Sequence, residues 1–355
     1  MSSVSGYDPL YATIKNMPNI DALGFIAKTA TSENLQSRAI HYFLRKLQRL
    51  NLALLSRPPH PMVDSSNEAI AKQIIRAATK NPASFIYLMA GETQLGTTFS
   101  KTDKSVRKRT IICLHQPPSY LRLNYRDFSD FDGLGGIVCL STAQKIFIES
   151  VCSTPAILSR HGVCLDFFAP NEAKTDVEKA KLLMVGEWLR DFEVLAASME
   201  QIWKTEPETT LDCVLRHSAR KHPALYRLAR DDRVRWHADI SPEKLRDLYQ
   251  KATLLFLPLI DASANNAIVE AMACGLPIIT TRVGGMPDYV VSEIGELCPP
   301  DNALAHAAAV LRWLPDKKRR ILAGLAGRKF AVEKLDWKII SHDLINEIHA
   351  KSLLD

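Results

Sequence analysis

The sequence lacks the signature motifs of several common enzyme classes. It contains no GxxxxGK[ST] phosphate loop and no GxSxG nucleophile elbow, which argues against P-loop nucleotidases and α/β-hydrolases. Its one suitable glycine cluster, GLGG at 133–136, precedes the strand-like run GIVCL instead of following a strand. A dinucleotide fingerprint requires the opposite order, so this cluster does not predict a dehydrogenase.

Paired cysteines and long apolar runs are also missing. The seven cysteines are odd in number and show no CxxC spacing, so we expect reduced thiols, with no disulfide framework and no metal site. The longest apolar run, Leu254 to Ile260, contains Pro258 and is far shorter than the roughly 20 residues of a membrane span. The polar start MSSVSG does not resemble a signal peptide. A net charge of +6 is too small to indicate nucleic-acid binding, and we expect a cytoplasmic protein.

What the sequence does contain is two series of short apolar runs separated by helical patterns. The first comprises SFIYLM, RTIICL, GIVCL and PAILS, and the second comprises KLLMVG, TLDCVL, RVRWH, TLLFLPL and LPIIT. Alternation of this kind predicts parallel sheets covered by helices on both faces. We therefore predict an α/β protein of two Rossmann-like, doubly wound domains facing across a cleft, at 1–172 and 173–336, with a hinge near 169–181.

One carboxylate stands out in the segment DASANNAIVEAMACGLPIITT at 261–281. Composition predicts a buried helix from about Ala267 to Cys274, in which Glu270 is the only charged residue. A carboxylate there has two explanations. It contacts ligand hydroxyls, which offset the cost of burying its charge, or it lies near the helix start and interacts with the helix dipole.

Several segments together resemble a known family. The stretch NNAIVEAMACGLPIITTRVGGMPDYV is similar to the donor-site signature of retaining GT-B glycosyltransferases, in particular glycosyltransferase family 4. The segments SGYDPL, HQPPS, RHGVCLDFFAP, VGEWLRDFEVL and SPEKLRDLYQKATLLFLPL agree in order and spacing. The resemblance implies a metal-independent hexosyltransferase that moves a sugar from a nucleotide-diphospho-sugar, such as a UDP- or GDP-sugar, to a hydroxyl of a glycan, lipid-linked or small-molecule acceptor. It implies no tightly bound cofactor.

The resemblance also assigns roles to residues. Glu270 matches the glutamate that holds the ribose, and the backbone amides of Asn266 and Ala267 match those that meet the diphosphate. His115 matches a histidine near the transferred sugar. The remaining expected contacts are Gly6, Gly186, Arg190, Asp261 and Asn265, and Arg190 is the expected diphosphate cation. Two of these residues also have a purely structural explanation. In that case Arg190 forms a surface ion pair with Asp191, and His115 makes hydrogen bonds only within the protein.

Two departures from the family pattern concern the donor site. The position eight residues before Glu270 is Ala262, where the family has a glutamate, and the adjacent Asp261 is the candidate replacement. Glu187 occupies a position where the family often has arginine. Two rival functions stay open, and the missing glutamate motivates the second. One is a nucleotide-sugar epimerase or hydrolase of the same fold, and the other is a catalytically silent scaffold that binds a nucleotide or a partner.

Two helical patterns complete the predictions. Residues 37–55 form a basic amphipathic pattern, which is typical of a surface helix packed on the core or of a peripheral contact with the inner face of a membrane. Residues 337–355 carry Trp337, Ile340, Leu344 and Ile348 at helical spacing, and the resemblance implies that this terminal helix packs back on the first domain.

Overall fold

The computed structural model describes residues 10, 13–14, 16, 65–80, 85–95, 102–125, 127–171 and 179–350. Gly6, the segment 37–55 and most of the predicted hinge lie outside these residues. The described residues divide into two compact units. One holds residues 10, 13–14, 16, 139–147, 158–171 and 179–347, and the other holds the described residues of 65–138 together with 148–157 and 348–350. The domain limits at 172 and 336 stay a prediction.

The first described sheet has four strands in the order β1-β2-β3-β4. Its strands are β1 (Ile86–Leu88), β2 (Thr110–Leu114), β3 (Gly136–Cys139) and β4 (Ala156–Leu158), and its helices are α1 (Ser65–Lys80), α2 (Gly91–Gln94), α3 (Lys104–Lys108), α4 (Pro118–Asn124) and α5 (Thr142–Val151). β1 pairs with β2 in parallel. Every residue of β2 and β3 is buried, as expected for strands covered on both faces.

The second described sheet has six strands, all parallel, in the order β10-β9-β8-β5-β6-β7. Its strands are β5 (Lys181–Val185), β6 (Thr210–Val214), β7 (Val234–His237), β8 (Leu254–Leu257), β9 (Ile278–Thr281) and β10 (Gly295–Cys298). The order reverses between β5 and β8, which are neighbours in space. Ligands bind at the carboxyl ends of the strands at such a switch point.

Helices follow the strands of this unit as the sequence predicts. They are α6 (Phe192–Thr205), α7 (Pro242–Lys251), α8 (Asn266–Ala273), α9 (Ala303–Trp313), α10 (Lys317–Lys334) and α11 (Trp337–Ala350). Side-chain caps begin five of them, from Asp191, Ser241, Asn265, Asn302 and Asp316. The predicted apolar stripe of α11 is buried: Trp337, Ile340, Leu344 and Ile348 are all core residues.

Among the described residues, no helix is long and apolar enough to cross a membrane. The same residues contain no group of three histidine, cysteine, aspartate or glutamate side chains positioned to hold a metal ion.

Candidate donor site

Glu270 lies five residues into α8 and is almost fully buried, with 5% of its surface exposed. The helix has no acidic residue in its first turn, and its N-cap is Asn265. The dipole explanation for Glu270 is therefore wrong, because that interaction fades beyond the first turn. Glu270 Oε2 accepts a hydrogen bond of 2.8 Å from the Tyr249 hydroxyl on α7.

The environment of Glu270 makes its charge costly. Burial raises the pKa of Glu270 to about 7, although the Tyr249 hydrogen bond and the charge of Arg190 both act to lower this pKa. Among the described residues Tyr249 is the single donor to this carboxyl, so its oxygens retain acceptor capacity. Hydroxyl groups of a ligand would supply the missing donors.

Arg190 lies in the loop after β5 and is held by three acceptors. Its Nε donates to Val185 O at 2.8 Å, its Nη1 to Trp188 O at 2.9 Å, and its Nη2 to Asn265 Oδ1 at 3.4 Å. Asp191 does not pair with it, since the Asp191 side chain caps α6 by accepting from Val194 N. The surface-pair explanation for Arg190 is therefore wrong. Burial lowers the pKa of Arg190 to about 10, which leaves the guanidinium charged at neutral pH.

Gly186 provides the space that the guanidinium occupies. Its φ is +85°, and a Cβ at this position would lie 2.6 Å from Arg190 Nη2. The structure therefore gives Gly186 a direct role in positioning Arg190. Any side chain here would push the guanidinium away from the carboxyl end of β5.

Asn265 joins Arg190 to the start of α8. Its Oδ1 accepts from Ala267 N at 3.0 Å in addition to the Arg190 contact. The Ala267 N–H is thus already used in the N-cap, which differs from its expected role as an open diphosphate contact. Asn266 is exposed, and none of the described residues accepts a hydrogen bond from its N–H. This amide at the N-terminus of α8 can therefore donate to a ligand.

The loop before Asn265 contains Ala262, at the position of the expected glutamate, and Asp261, the candidate replacement. Asp261 Oδ1 accepts from Ala262 N at 2.8 Å, so the aspartate is folded against its own loop. Ala262 is buried. Ser263 is 1% exposed, and its hydroxyl has no hydrogen-bond partner among the described residues. A buried hydroxyl without a partner beside a helix N-terminus is a further polar contact available to a ligand.

Gly284 and Gly285 hold this loop in place. The Gly285 N–H donates to Ala262 O at 2.7 Å. A Cβ on Gly284 would lie 2.1 Å from Ala262 O, and one on Gly285 would lie 2.0 Å from Ser263 O. The two glycines therefore allow the backbone after β9 to contact the loop after β8.

Substitution of Gly284 tests this packing. We expect Gly284→Ala to lower the free energy of unfolding by about 3 kcal/mol, because the new methyl group meets a backbone carbonyl at a φ of +46°. Denaturant unfolding monitored by circular dichroism measures the change. The matched control is Gly133→Ala, where φ is +73° but the nearest atom is the Arg107 Nε at 4.0 Å. It should cost only about 1 kcal/mol, and equal costs would contradict the steric explanation.

His115 lies in the other unit, directly after β2, and contacts a buried carboxylate. Its Nδ1 is 3.5 Å from Glu92 Oε2, and Glu92 Oε1 also accepts from Gln116 N at 2.7 Å. Burial lowers the pKa of His115, but the nearby Cys113 and Glu92 outweigh it and raise that pKa to about 10. The structural explanation for this histidine is thus strengthened, and a role near a sugar stays a prediction.

The structure adds two residues that the sequence analysis did not single out. Tyr249 and Glu92 are buried and hydrogen-bonded to Glu270 and to the His115 segment respectively. Each is a polar residue in a short helix, but neither breaks an apolar run. No sequence signal therefore separates them from surface residues.

Comparison with known proteins finds a family match for the segment that holds Arg190, Tyr249 and Glu270. Residues 179–316 match the family described as "Glycosyl transferases group 1". The chain is 31% identical over 116 residues to a D-inositol 3-phosphate glycosyltransferase of Salinispora tropica, and 28% identical over 173 residues to a glycogen synthase of Mycobacterium tuberculosis. The aligned segments cover 32% and 46% of this chain, and 24% and 40% of those two relatives.

Solved structures extend the similarity to most of the chain. Sucrose-phosphate synthase from Thermosynechococcus elongatus superimposes with a TM-score of 0.65 at 20% identity, covering 80% of this chain and 78% of that one. Anabaena HepE in complex with UDP and glucose gives a TM-score of 0.66 at 15% identity, covering 81% and 83%. The chain therefore has the GT-B fold of two Rossmann-like domains, as predicted. The match to the glycosyl transferases group 1 family covers residues 179–316, which lie in the unit that holds Arg190 and Glu270.

Proposed function

We propose that this protein is a retaining, metal-independent glycosyltransferase of the family 4 type. It moves a hexose from a nucleotide-diphospho-sugar to a hydroxyl of a glycan, lipid-linked or small-molecule acceptor. The observation that carries the proposal is the buried carboxylate of Glu270. It lies one turn after the N-terminus of α8 and can accept further hydrogen bonds. A ribose diol supplies two hydroxyl donors of the kind that this carboxylate lacks.

The diphosphate would lie at the start of α8. The Asn266 N–H and the helix dipole favour an anion there, and the Arg190 guanidinium is tied to the same helix end through Asn265. Charge develops on the leaving diphosphate in the transition state, so fixed donors at this place lower the barrier. A UDP-sugar donor accords with HepE, whose solved structures contain UDP and UDP-glucose, and a GDP-sugar is the alternative donor.

The first test is thermal stability with a panel of nucleoside diphosphates and nucleotide sugars. A ligand that binds only the folded state raises the melting temperature, so the panel reports both the base and the sugar. Incubation of the selected donor with candidate acceptors then measures transfer. A folded protein whose melting temperature no nucleotide changes would contradict the proposal.

A second candidate, a nucleotide-binding scaffold without transfer activity, is favoured by one observation. Ala262 replaces the family glutamate that touches the donor sugar, and Asp261 is bonded to its own loop. This candidate predicts nucleotide binding without turnover of any donor. Soluble donor turnover without an acceptor would favour an epimerase or hydrolase instead.

The titration of Glu270 predicts that affinity for the nucleotide sugar depends on pH, and the Tyr249 hydrogen bond helps to set the midpoint. Protonation of Glu270 removes the charge that binds the ribose hydroxyls, so wild-type affinity for a nucleotide sugar should fall as pH decreases through about 7. In Tyr249→Phe the bond that lowers the pKa of Glu270 is lost, so the midpoint should move to higher pH. Calorimetric titration across this pH range measures the midpoint.

Tyr289→Phe is the matched control for that measurement. Tyr289 is equally buried, and its hydroxyl donates to Leu140 O and accepts from His161 N. This variant should keep the wild-type midpoint. A similar displacement in both variants would show that the effect comes from lost packing, and the role assigned to Tyr249 would then be incorrect.

A further inference from the structure

Helix α10 presents its large aliphatic side chains to solvent. Ile321, Leu322, Leu325 and Val332 are 52%, 57%, 64% and 45% exposed. Ile321, Leu325 and Val332 are four and seven residues apart, which places them on one side of a helix. We call these three residues the aliphatic stripe. Leu322 lies about 100° further round the helix and lines a cavity with Trp313. Grouped exposed aliphatic residues on a single helix mark an interaction surface more often than isolated ones do.

The inward side of α10 explains why these residues point outward. That side consists of Ala323, Gly324, Gly327 and Ala331, all buried. A Cβ on Gly324 would lie 2.2 Å from Gly275 O, so the helix contacts the chain after α8 almost backbone to backbone. Such close packing leaves no room for larger side chains on the inner side. The core is complete without the aliphatic stripe.

The charges of α10 divide into two groups. Its arginines serve the fold: Arg328 donates to Phe168 O and Ala273 O, Arg320 donates to Trp313 O, and Arg319 lies over the Trp313 ring. Its lysines are Lys317, Lys318, Lys329 and Lys334, and Glu333 is its one acidic residue. By helical spacing, Lys318 and Lys329 fall on the same side as the stripe. Lys329 Nζ is 3.9 Å from Glu333 Oε1, but both side chains are exposed, and such a pair is weak. The outward side is therefore aliphatic and cationic.

We propose that the aliphatic stripe and these lysines dock α10 on an anionic lipid surface, with the helix lying in the plane of the bilayer interface. Aliphatic side chains flanked by lysines are the composition of interfacial helices. The lysine stems cover apolar surface while their ammonium groups reach lipid phosphates. A protein partner fits less well, because protein interfaces favour aromatic residues and arginine over lysine. The outward side of α10 has no aromatic residue.

Co-sedimentation of the full chain with vesicles tests the proposal. We expect binding to vesicles of phosphatidylcholine mixed with phosphatidylglycerol, and little binding to phosphatidylcholine alone. The variant Ile321→Gln/Leu325→Gln should bind about 100-fold more weakly, because each leucine-sized side chain that inserts contributes about tenfold. Lys318→Gln/Lys329→Gln should lose about 25-fold, since each lysine near an anionic surface contributes about fivefold. High salt should weaken wild-type binding.

Matched controls keep this test specific to α10. Leu304→Gln removes an aliphatic residue that is 67% exposed at the start of α9, and Lys251→Gln removes an exposed lysine from α7. Both should bind as wild type does. All variants should keep the wild-type melting temperature, because the substituted side chains are exposed. Any change in melting temperature that a nucleotide causes in the wild type should be the same in the variants.

Three results would overturn the proposal. The first is equal binding by the wild type and both α10 variants, which would assign any membrane contact to another segment such as 37–55. The second is no vesicle binding by the wild type. The third is a wild-type dimer in light scattering that the Ile321→Gln/Leu325→Gln variant abolishes without a change in vesicle binding, which would make the stripe a contact between two copies of this chain.

Discussion

Replacement of Glu270 by glutamine is expected to weaken binding of the preferred nucleoside diphosphate about 100-fold while it stabilises the protein at alkaline pH. The loss of affinity follows from the loss of charge. Two hydroxyl groups of a ribose bound to a buried carboxylate form charge-assisted hydrogen bonds, each worth about 1.5 to 3 kcal/mol. A neutral amide is a weaker acceptor, although it still accepts the Tyr249 hydroxyl that is 2.8 Å from Glu270 Oε2.

The gain in stability follows from the raised pKa of Glu270. Its pKa is about 7 in the folded protein against 4.5 as the reference value, because burial penalises the charged form. The stabilising contribution of this carboxyl is therefore complete below about pH 4.5 and is lost as pH rises through 7. A change of this size corresponds to about 3 kcal/mol at alkaline pH. Glutamine cannot ionise and so avoids the cost.

Two measurements check the Glu270 prediction. Calorimetric titration gives the affinity, and thermal unfolding at several pH values gives the stability. Glu206→Gln is the control, because Glu206 is exposed at the end of α6 and should change neither quantity. Unchanged affinity in Glu270→Gln would refute the ribose contact. Lower stability at alkaline pH would instead show that the carboxylate is compensated in the folded protein.

Replacement of Arg190 by alanine is expected to lower affinity for the nucleoside diphosphate about 100-fold but to leave affinity for the matching nucleoside nearly unchanged. Arg190 is the cation tied to the start of α8, through the 3.4 Å contact of its Nη2 with Asn265 Oδ1. Its interaction with a ligand is therefore directed at phosphate oxygens. Loss of the Glu270 charge, in contrast, should weaken the nucleoside and its diphosphate alike.

Arg190→Lys separates charge from geometry. A lysine keeps the charge, but a single ammonium cannot reproduce the planar fork that bonds Val185 O, Trp188 O and Asn265 together. We expect it to recover only a small part of the lost affinity. Arg227→Ala is the control, because Arg227 forms exposed pairs with Glu193 and Glu200. Parallel losses for nucleoside and diphosphate in Arg190→Ala would mean that the loop has collapsed, and would contradict a diphosphate role.

Much of the fold was predictable because short apolar runs between helical patterns have few solutions. All nine predicted strands are present, and a tenth, Gly295–Cys298, pairs with β9 at the sheet edge. That strand was missed because two of its four residues, Glu296 and Leu297, are only half-buried, so its apolar pattern is weak. The helix around Glu270 was predicted from composition, and its start at Asn266 agrees with the sequence to within one residue.

The sequence by itself determined the two α/β halves, the carboxylate within the apolar stretch that forms α8, and the placement of polar residues after the strands, because local periodicity encodes all three. Only the tertiary structure decided the partners. It brings Tyr249 to Glu270, closes the Ala267 amide with Asn265, and turns Arg190 over Gly186. These contacts depend on distances that are set by how strands and loops pack. The periodicity of apolar residues along the chain does not encode those distances.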